Sequence, residues 1–323
     1  MAVPAARLSA PHRQAGVALI LAMLVMALVT AAVTAMAARQ QLDIRRTANL
    51  LNQDQAYLYA LAVETWGELL LQRDRKHNRI DDLKEDWARL PPPIHVEGGS
   101  ISGRIEDLQG RFNLNDLIVN GAPSTPDVAR FRRLLERLGL DPQRVEPVLD
   151  WLDPDQQPRF PGGAEDGHYL GLSPPYRAAN RPMVSPTELL LVAGFTPKIY
   201  DRLAPFVTAL PTHTPVNVNT APAPVLAMLV PGLSLGDAKS LVQMRDARPY
   251  REPGDFLKQS AVQIRLQRYP ALASVLRQAI SVASGYFLIR SGVRIGRARV
   301  FLDSVVRRDP SGETVIMRTR GTL

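Results

Sequence analysis

The 323-residue chain contains no cysteine. Disulfides and thiolate metal sites are excluded, so any stapling outside the cytoplasm has to come from packing or from metal held by oxygen. Histidine is scarce too: His12, His77, His95, His168 and His213 show no metal-ligand spacing. There is no phosphate-cradling P-loop, no G-x-S-x-G nucleophile elbow and no G-x-G-x-x-G after a strand. A general basic surface is also missing, although the formal net charge is +8. Residues 1–46 hold five arginines and one aspartate, and residues 290–323 hold eight arginines and three acids, so the long middle is nearly neutral. This is not the footprint of a general nucleic-acid binder.

What the chain does have is one long apolar run. Residues 14–39 carry no charge until Arg39, with Arg7, His12 and Arg13 before and Arg45 and Arg46 after. About 25 helical residues span roughly 37 Å, enough to cross a bilayer core with some tilt. Three readings fit the run. A cleaved secretory signal would use Ala35-Met36-Ala37, but such apolar regions are usually only about 7–15 residues long. A plain signal anchor would keep the basic flank in the cytoplasm. A prepilin-type leader would be cut at Gly16-Val17, ahead of the apolar helix, and the helix would be retained.

The sequence after the run favours retention. From Arg39 to Arg73 there is no proline and only one glycine, Gly67. Tyr59, Val63, Trp66 and Leu70 recur at helical spacing, predicting one packed stripe. The two parts predict a continuous rod of about 55 residues, on the order of 80 Å. Leu90-Pro91-Pro92-Pro93 closes it, and residues 95–107 alternate as strand with a turn at Gly98-Gly99. Helical periodicity then runs from about residue 123 to 277, with helices expected at 128–138, 144–152, 185–193, 198–210, 225–230, 235–245 and 264–276. Strands return at 280–282, 286–289 and 293–306, and Asp309-Pro310-Ser311-Gly312 reads as a hairpin turn into 314–317. Strand, helices and strand together predict a helical domain inserted into a small β domain.

Residues 141–166 hold seven acids and two arginines. Asp150, Asp153 and Asp155 are spaced around a proline, and Glu165 and Asp166 return after Pro161-Gly162-Gly163. Hard oxygen ligands from two short loops suit Ca²⁺, which takes six to eight oxygens in loose geometry. The EF-hand pattern does not match. A solvated acidic loop with Asp150 or Asp153 capping a turn is the plainer reading, and a paired-carboxylate hydrolase is the enzymatic one. Arg177 and Arg181 are expected to tie their loop to this acidic one.

Residues 215–234 read as a helix-hairpin-helix unit of the DNA-uptake type, with Ala238, Arg245, Phe256 and Leu257 beyond it. Ser234 replaces the second hairpin glycine, and residues 211–258 carry five basic against four acidic side chains. The electrostatics that dominate nucleic-acid binding are nearly absent, so the hairpin reads as a protein scaffold. Asn217 and Asn219 are expected to cap loops.

Taken in order, the leader ending at Gly16, the rod, QGRFNLNDL (109–117), DWLDPDQQP (150–158) with GAED (163–166), PPYRAANRP (174–182) and PVNVNTAPAPVL (215–226) resemble the K family of type II secretion minor pseudopilins. The resemblance covers essentially the whole chain. Position 21, the fifth of the mature chain, holds leucine where most pilin-like proteins have glutamate, and the K family is similar in this exception. The first mature residue is Val17, where Phe or Met is commoner.

The resemblance implies a non-enzymatic assembly protein and an α+β fold: a long N-terminal helix, a pilin-like αβ domain with an antiparallel sheet, and a large all-α domain inserted into it. It divides the chain into a leader (1–16), a transmembrane stretch (17–38), helix continuation and first pilin-like part (39–120), an inserted helical domain (121–277, with the hairpin unit at 211–258) and C-terminal strands (278–323). It also implies processing by prepilin peptidase at Gly16-Val17 and a single-pass place in the inner membrane with the globular part in the periplasm. The implied partners are minor pseudopilins I and J at a pseudopilus tip and the major pseudopilin, with no nucleic acid; the role is to start and limit assembly for export of folded proteins. A structural Ca²⁺ in the inserted domain is implied as well, with Asp150, Asp153, Asp155, Glu165 and Asp166 as candidate ligands.

Overall fold

The structure is a computed structural model and describes residues 15–321. Residues 1–14, most of the expected leader (1–16), lie outside the described residues. Helix α1 (Ala15–His77) is 63 residues long, unbroken and longer than the rod expected from the sequence. Its N-terminal part carries exposed Val17, Leu21, Leu28 and Met36, and it is long and apolar enough to cross a membrane.

A five-stranded antiparallel sheet packs along the C-terminal half of α1. Its strands are β1 (Ile94–Val96), β2 (Gly99–Asp107), β3 (Tyr286–Ile295), β4 (Ala298–Asp309) and β5 (Gly312–Arg320), in spatial order β1-β2-β3-β4-β5. Strand β2 pairs directly with β3, from Gly99↔Ile295 to Asp107↔Phe287. The chain between these neighbouring strands forms nine α-helices: α2 (Thr125–Arg137), α3 (Val145–Leu152), α4 (Asp166–Tyr169), α5 (Pro197–Leu203), α6 (Ala223–Leu229), α7 (Leu235–Ala247), α8 (Pro253–Leu257), α9 (Ser260–Arg268) and α10 (Leu272–Ala279). They enclose the largest apolar core, around Phe131, Leu149, Tyr169, Leu226 and Phe256. The fold is therefore the expected α+β arrangement, a long helix and antiparallel sheet with a helical domain inserted.

Several sequence expectations shift. The stripe that α1 buries is Ala56, Ala60, Glu64, Gly67 and Leu71. Trp66 is 45% exposed, and Tyr59, Val63 and Leu70 only flank the contact. Small residues win because the helix lies close on the sheet: a Cβ on Gly67 would stand 2.7 Å from Ile289 Cδ1. Glu64, also in the stripe, is held by Arg318 at 2.7 and 2.8 Å and by the Ser304 hydroxyl. The break expected at 290–292 is absent. Gly292 stays in β3 under the Phe301 ring, and the chain turns at Gly296, whose φ is +53°. The helix expected at 198–210 stops at Leu203, because Pro205 cannot continue it. The one at 264–276 is two helices parted at Tyr269-Pro270, and 185–193 is a 3₁₀ turn with a Ser185–Glu188 capping box.

The insertion leaves the sheet at Asp107 and returns at Tyr286, and a buried polar cluster fastens that junction. Asn217 Nδ2 lies within 3.1 Å of Asp107 Oδ2, Ser284 Oγ and the Asp81 carbonyl. Thr220 and Ser284 hydroxyls donate to Asp107, and Arg308 pairs with Asp81 and with Asp74 at 3.1 Å. Burial pushes the Asp107 carboxyl up from its ordinary value, and its hydroxyl donors only partly oppose this. Asp74 is pushed up to about 7, by burial first and then by the charges of Glu85 and Asp81.

Two outcomes follow from this packing. Gly67→Leu should cost about 1–3 kcal/mol by overpacking against Ile289, whereas Trp66→Ala should stay within about 0.5 kcal/mol; chemical denaturation compares them. Folded Asp74 keeps its proton to about pH 7, well above an unfolded aspartate. The folded state therefore binds the extra proton, and stability falls as pH rises through that range. Asp74→Asn should reduce the loss between pH 5 and pH 8 by roughly 1 kcal/mol after solvent screening, read as melting temperature at both pH values.

Candidate metal site and family membership

Helix α3 places Asp150 and Asp153 one turn apart, both essentially buried at 0% and 1% exposure. The chain then loops through Asp155 and Arg159 and doubles back at Gly163. A side chain at Gly163 would put its Cβ 2.2 Å from Asp150 Oδ2 and 2.4 Å from the Arg159 nitrogen, so only glycine lets the loop close here. Glu165, 4% exposed, stands at the start of α4 and points back at the same place. Below it Trp151, Tyr169 and Tyr176 pack ring against ring, with the Tyr169 hydroxyl accepting from the Ala193 N–H.

The five candidate ligands do not behave alike. Oxygens of Asp153, Asp155 and Glu165 all lie within 4.8 Å of one another. Asp150 sits behind them, accepting the Arg159 backbone N–H at 3.1 Å and facing its Nε at 3.3 Å. Asp166 turns away to receive the Ala178 N–H at 3.0 Å, with Arg177 at 3.8 Å. Arg177 thus ties its loop to the acidic one as expected, while Arg181 faces Glu188 at 3.9 Å instead. Sequence reasoning missed Asn180, which sits in the same loop with φ +46° and donates from Nδ2 to the Asp155 carbonyl. Its signal was the asparagine inside PPYRAANRP, where the neighbouring arginines drew attention.

The hydrogen bonding of these groups is incomplete. Asp150 Oδ1, Asp153 Oδ1, both Glu165 oxygens and Asn180 Oδ1 are buried without a hydrogen-bond partner. Buried acceptor oxygens without hydrogen-bond partners cost far more than bare surface carboxylates. Among the described residues the Arg159 guanidinium offers charge compensation, to Asp153 at 2.5 Å and to Asp150 at 3.3 Å. Burial, followed by the charges of Asp150, Asp153, Asp155 and Asp166, pushes Glu165 up to about 7. Burial likewise raises Asp150 to about 6. An all-oxygen set whose negative charge one arginine only partly offsets fits a hard divalent cation. A second acidic trio, Asp74, Asp81 and Glu85, lacks this character: Arg308 covers two members, and Glu85 takes the Asn78 amide and the Trp87 indole.

The hairpin between α6 and α7 is already satisfied from within. The Ser234 hydroxyl and Asp237 carboxylate form a capping box at the start of α7, and Asp237 pairs with Arg265 at 2.8 Å. A carboxylate therefore occupies the place where the motif would hold phosphate. Asn219 clamps both backbone groups of Tyr250 at 2.9 Å, and Asn217 anchors the junction, so both do more than cap loops.

Two family models described as type II secretion system (T2SS), protein K match residues 110–212 and 216–276. A type II secretion system protein K of Pseudomonas aeruginosa is 39% identical, covering 94% of this chain and 92% of its own length. The chain belongs to the type II secretion system protein K family. A Klebsiella pneumoniae member is 36% identical over 96% of this chain and 97% of its own. The crystal structure of the GspK-GspI-GspJ complex from the type 2 secretion system of enterotoxigenic Escherichia coli contains a chain that superposes with a TM-score of 0.76 at 27% identity. The match covers 86% of this chain and all of that one. The protein K relatives and this fold make the chain a minor pseudopilin of the type II secretion system.

Proposed function

We propose that the chain is the tip subunit of a periplasmic pseudopilus, joining minor pseudopilins I and J and then the major pseudopilin to start and limit its growth. The observation that carries this is the position of the insertion: it leaves and re-enters at one end of the sheet, beside the C-terminal end of α1. A bulky head there permits subunits to add along the exposed half of α1 but blocks stacking above it. Leu21 agrees with such a place, since a carboxylate at that position would pair with the terminal amine of a subunit above. The solved assembly of a relative with GspI and GspJ supports the choice of partners. In this reading α1 anchors the chain in the inner membrane, with the globular part in the periplasm, until assembly takes it up. The part is structural, with neither catalysis nor nucleic-acid binding. N-terminal sequencing of chain made with prepilin peptidase should begin at Val17; a start near Ala38 would sink the reading.

Calcium belongs to the same proposal. Asp153, Asp155 and Glu165 would hold it with the Asn180 side-chain oxygen, while Asp150 fixes the loop. Bound there, the ion would supply positive charge beyond what Arg159 gives Asp150 and Asp153. Excess calcium at about a hundred times its dissociation constant should add roughly 2.7 kcal/mol of stability. Chelation should therefore lower the melting temperature of the full chain, and Asp153→Ala should abolish the difference. An unchanged melting temperature on chelation would count against a structural ion.

A further inference from the structure

Part of each basic end of the sequence, some 250 residues apart, lies towards the same end of the fold. Gly296, at the tip of the β3–β4 hairpin, lies against Asn52 of α1, and Ile289 of β3 lies against Gly67. Fifteen helical residues and seven strand residues both span roughly 22–23 Å, so sheet and helix run side by side. The hairpin tip therefore points towards the apolar end of α1. It carries Arg294, Arg297 and Arg299, all exposed and with no ion-pair partner among the described residues. Arg39, Arg45 and Arg46 stand on α1 between the tip and the apolar run. The opposing carboxylates are Asp43, 3.6 Å from Arg46, with Asp54 and the β1–β2 turn residue Glu97.

We propose that this basic end docks on an anionic bilayer surface before assembly, and that the β3–β4 hairpin thereby sets the direction in which α1 tilts. The proposal rests on the membrane-anchored reading above. About 24 apolar residues span roughly 36 Å against a hydrocarbon core of about 30 Å, an excess that an unkinked helix accommodates by tilting or by thickening the bilayer around it. An upright helix would hold the hairpin about 21 Å beyond Ala38, past the reach of screened attraction at physiological salt, where the Debye length is about 8 Å. Tilting towards the sheet side lowers the hairpin arginines to the headgroups; tilting the other way lifts them off. Anionic headgroups attract each arginine only within that screening length, so they select the first direction. Apolar length favours a tilt, and the arginines choose its azimuth.

The test uses the full chain in nanodiscs, either of neutral phosphatidylcholine or with about one-third phosphatidylglycerol. Because the chain has no cysteine, Ala298→Cys gives a single donor label on the hairpin, with an acceptor on the lipid headgroups. Energy transfer should rise about two-fold in the anionic discs. It should return to the neutral-disc value in about 0.5 M salt, and in Arg294→Gln/Arg297→Gln/Arg299→Gln with an unchanged melting temperature. Equal transfer in both compositions would overturn the proposal and leave the arginines for an acidic protein, as would a triple variant that behaves like its parent. A chain that fails to enter the discs would overturn the membrane-anchored reading itself.

Discussion

The architecture depends on how one buried amide is satisfied. Asn217 belongs to the inserted domain, yet its Nδ2 is shared by Asp107 at the end of β2, Ser284 at the start of β3 and the backbone of Asp81 beyond the rod. Asp107 is buried with its carboxyl pushed up, and it keeps its place only because Thr220, Ser284 and Asn217 donate to it. Arg308 then links Asp81 to Asp74 on α1 and lies 4.6 Å over the Phe287 ring. Rod, sheet and insertion thus share one set of hydrogen bonds. A half-satisfied version would be worse than an apolar contact, so the three parts hold together only as a complete set.

The insertion point explains why so large a helical domain does not disturb the sheet. Because β2 and β3 are neighbours, Asp107 and Phe287 sit opposite one another. Any insertion whose ends can approach to that spacing leaves the register intact, and the cost of closing the loop grows only slowly with its length. The inserted domain has its own apolar core, separate from the small clusters between α1 and the sheet. Within that core the acidic loops are the exception, since they are folded tightly around buried carboxylates that Arg159 only partly neutralises.

Much of this was legible in sequence, and the misses have physical causes. The rod showed in its lack of proline and its alanine and leucine content, because helix propensity over many residues is a strong local signal. Its packed face was misread because periodicity points to large apolar side chains, whereas a helix lying close on a sheet selects Ala56, Ala60 and Gly67. The strand was expected to break at 290–292, where Gly292 instead makes room for Phe301, while Gly296 supplies the positive φ. The acidic segment was legible from its charge. That Asp166 caps a neighbouring loop while Asn180 bonds the Asp155 carbonyl depends on how two distant loops meet, which no local pattern records.

Charge is distributed along the long axis in a way that composition alone conceals. Arg294, Arg297 and Arg299 sit exposed and unpaired at the end of the sheet nearer the apolar helix, and carboxylates gather in the inserted domain at the other end. Their opposite demands suit opposite environments. Unpaired guanidinium groups on an exposed hairpin need only an anionic surface within a screening length, and they lose little when removed from it. Buried carboxylates facing one another carry a desolvation cost that a cation in direct contact would relieve. One end therefore carries exposed, unpaired cations and the other buried carboxylates whose charge is incompletely offset.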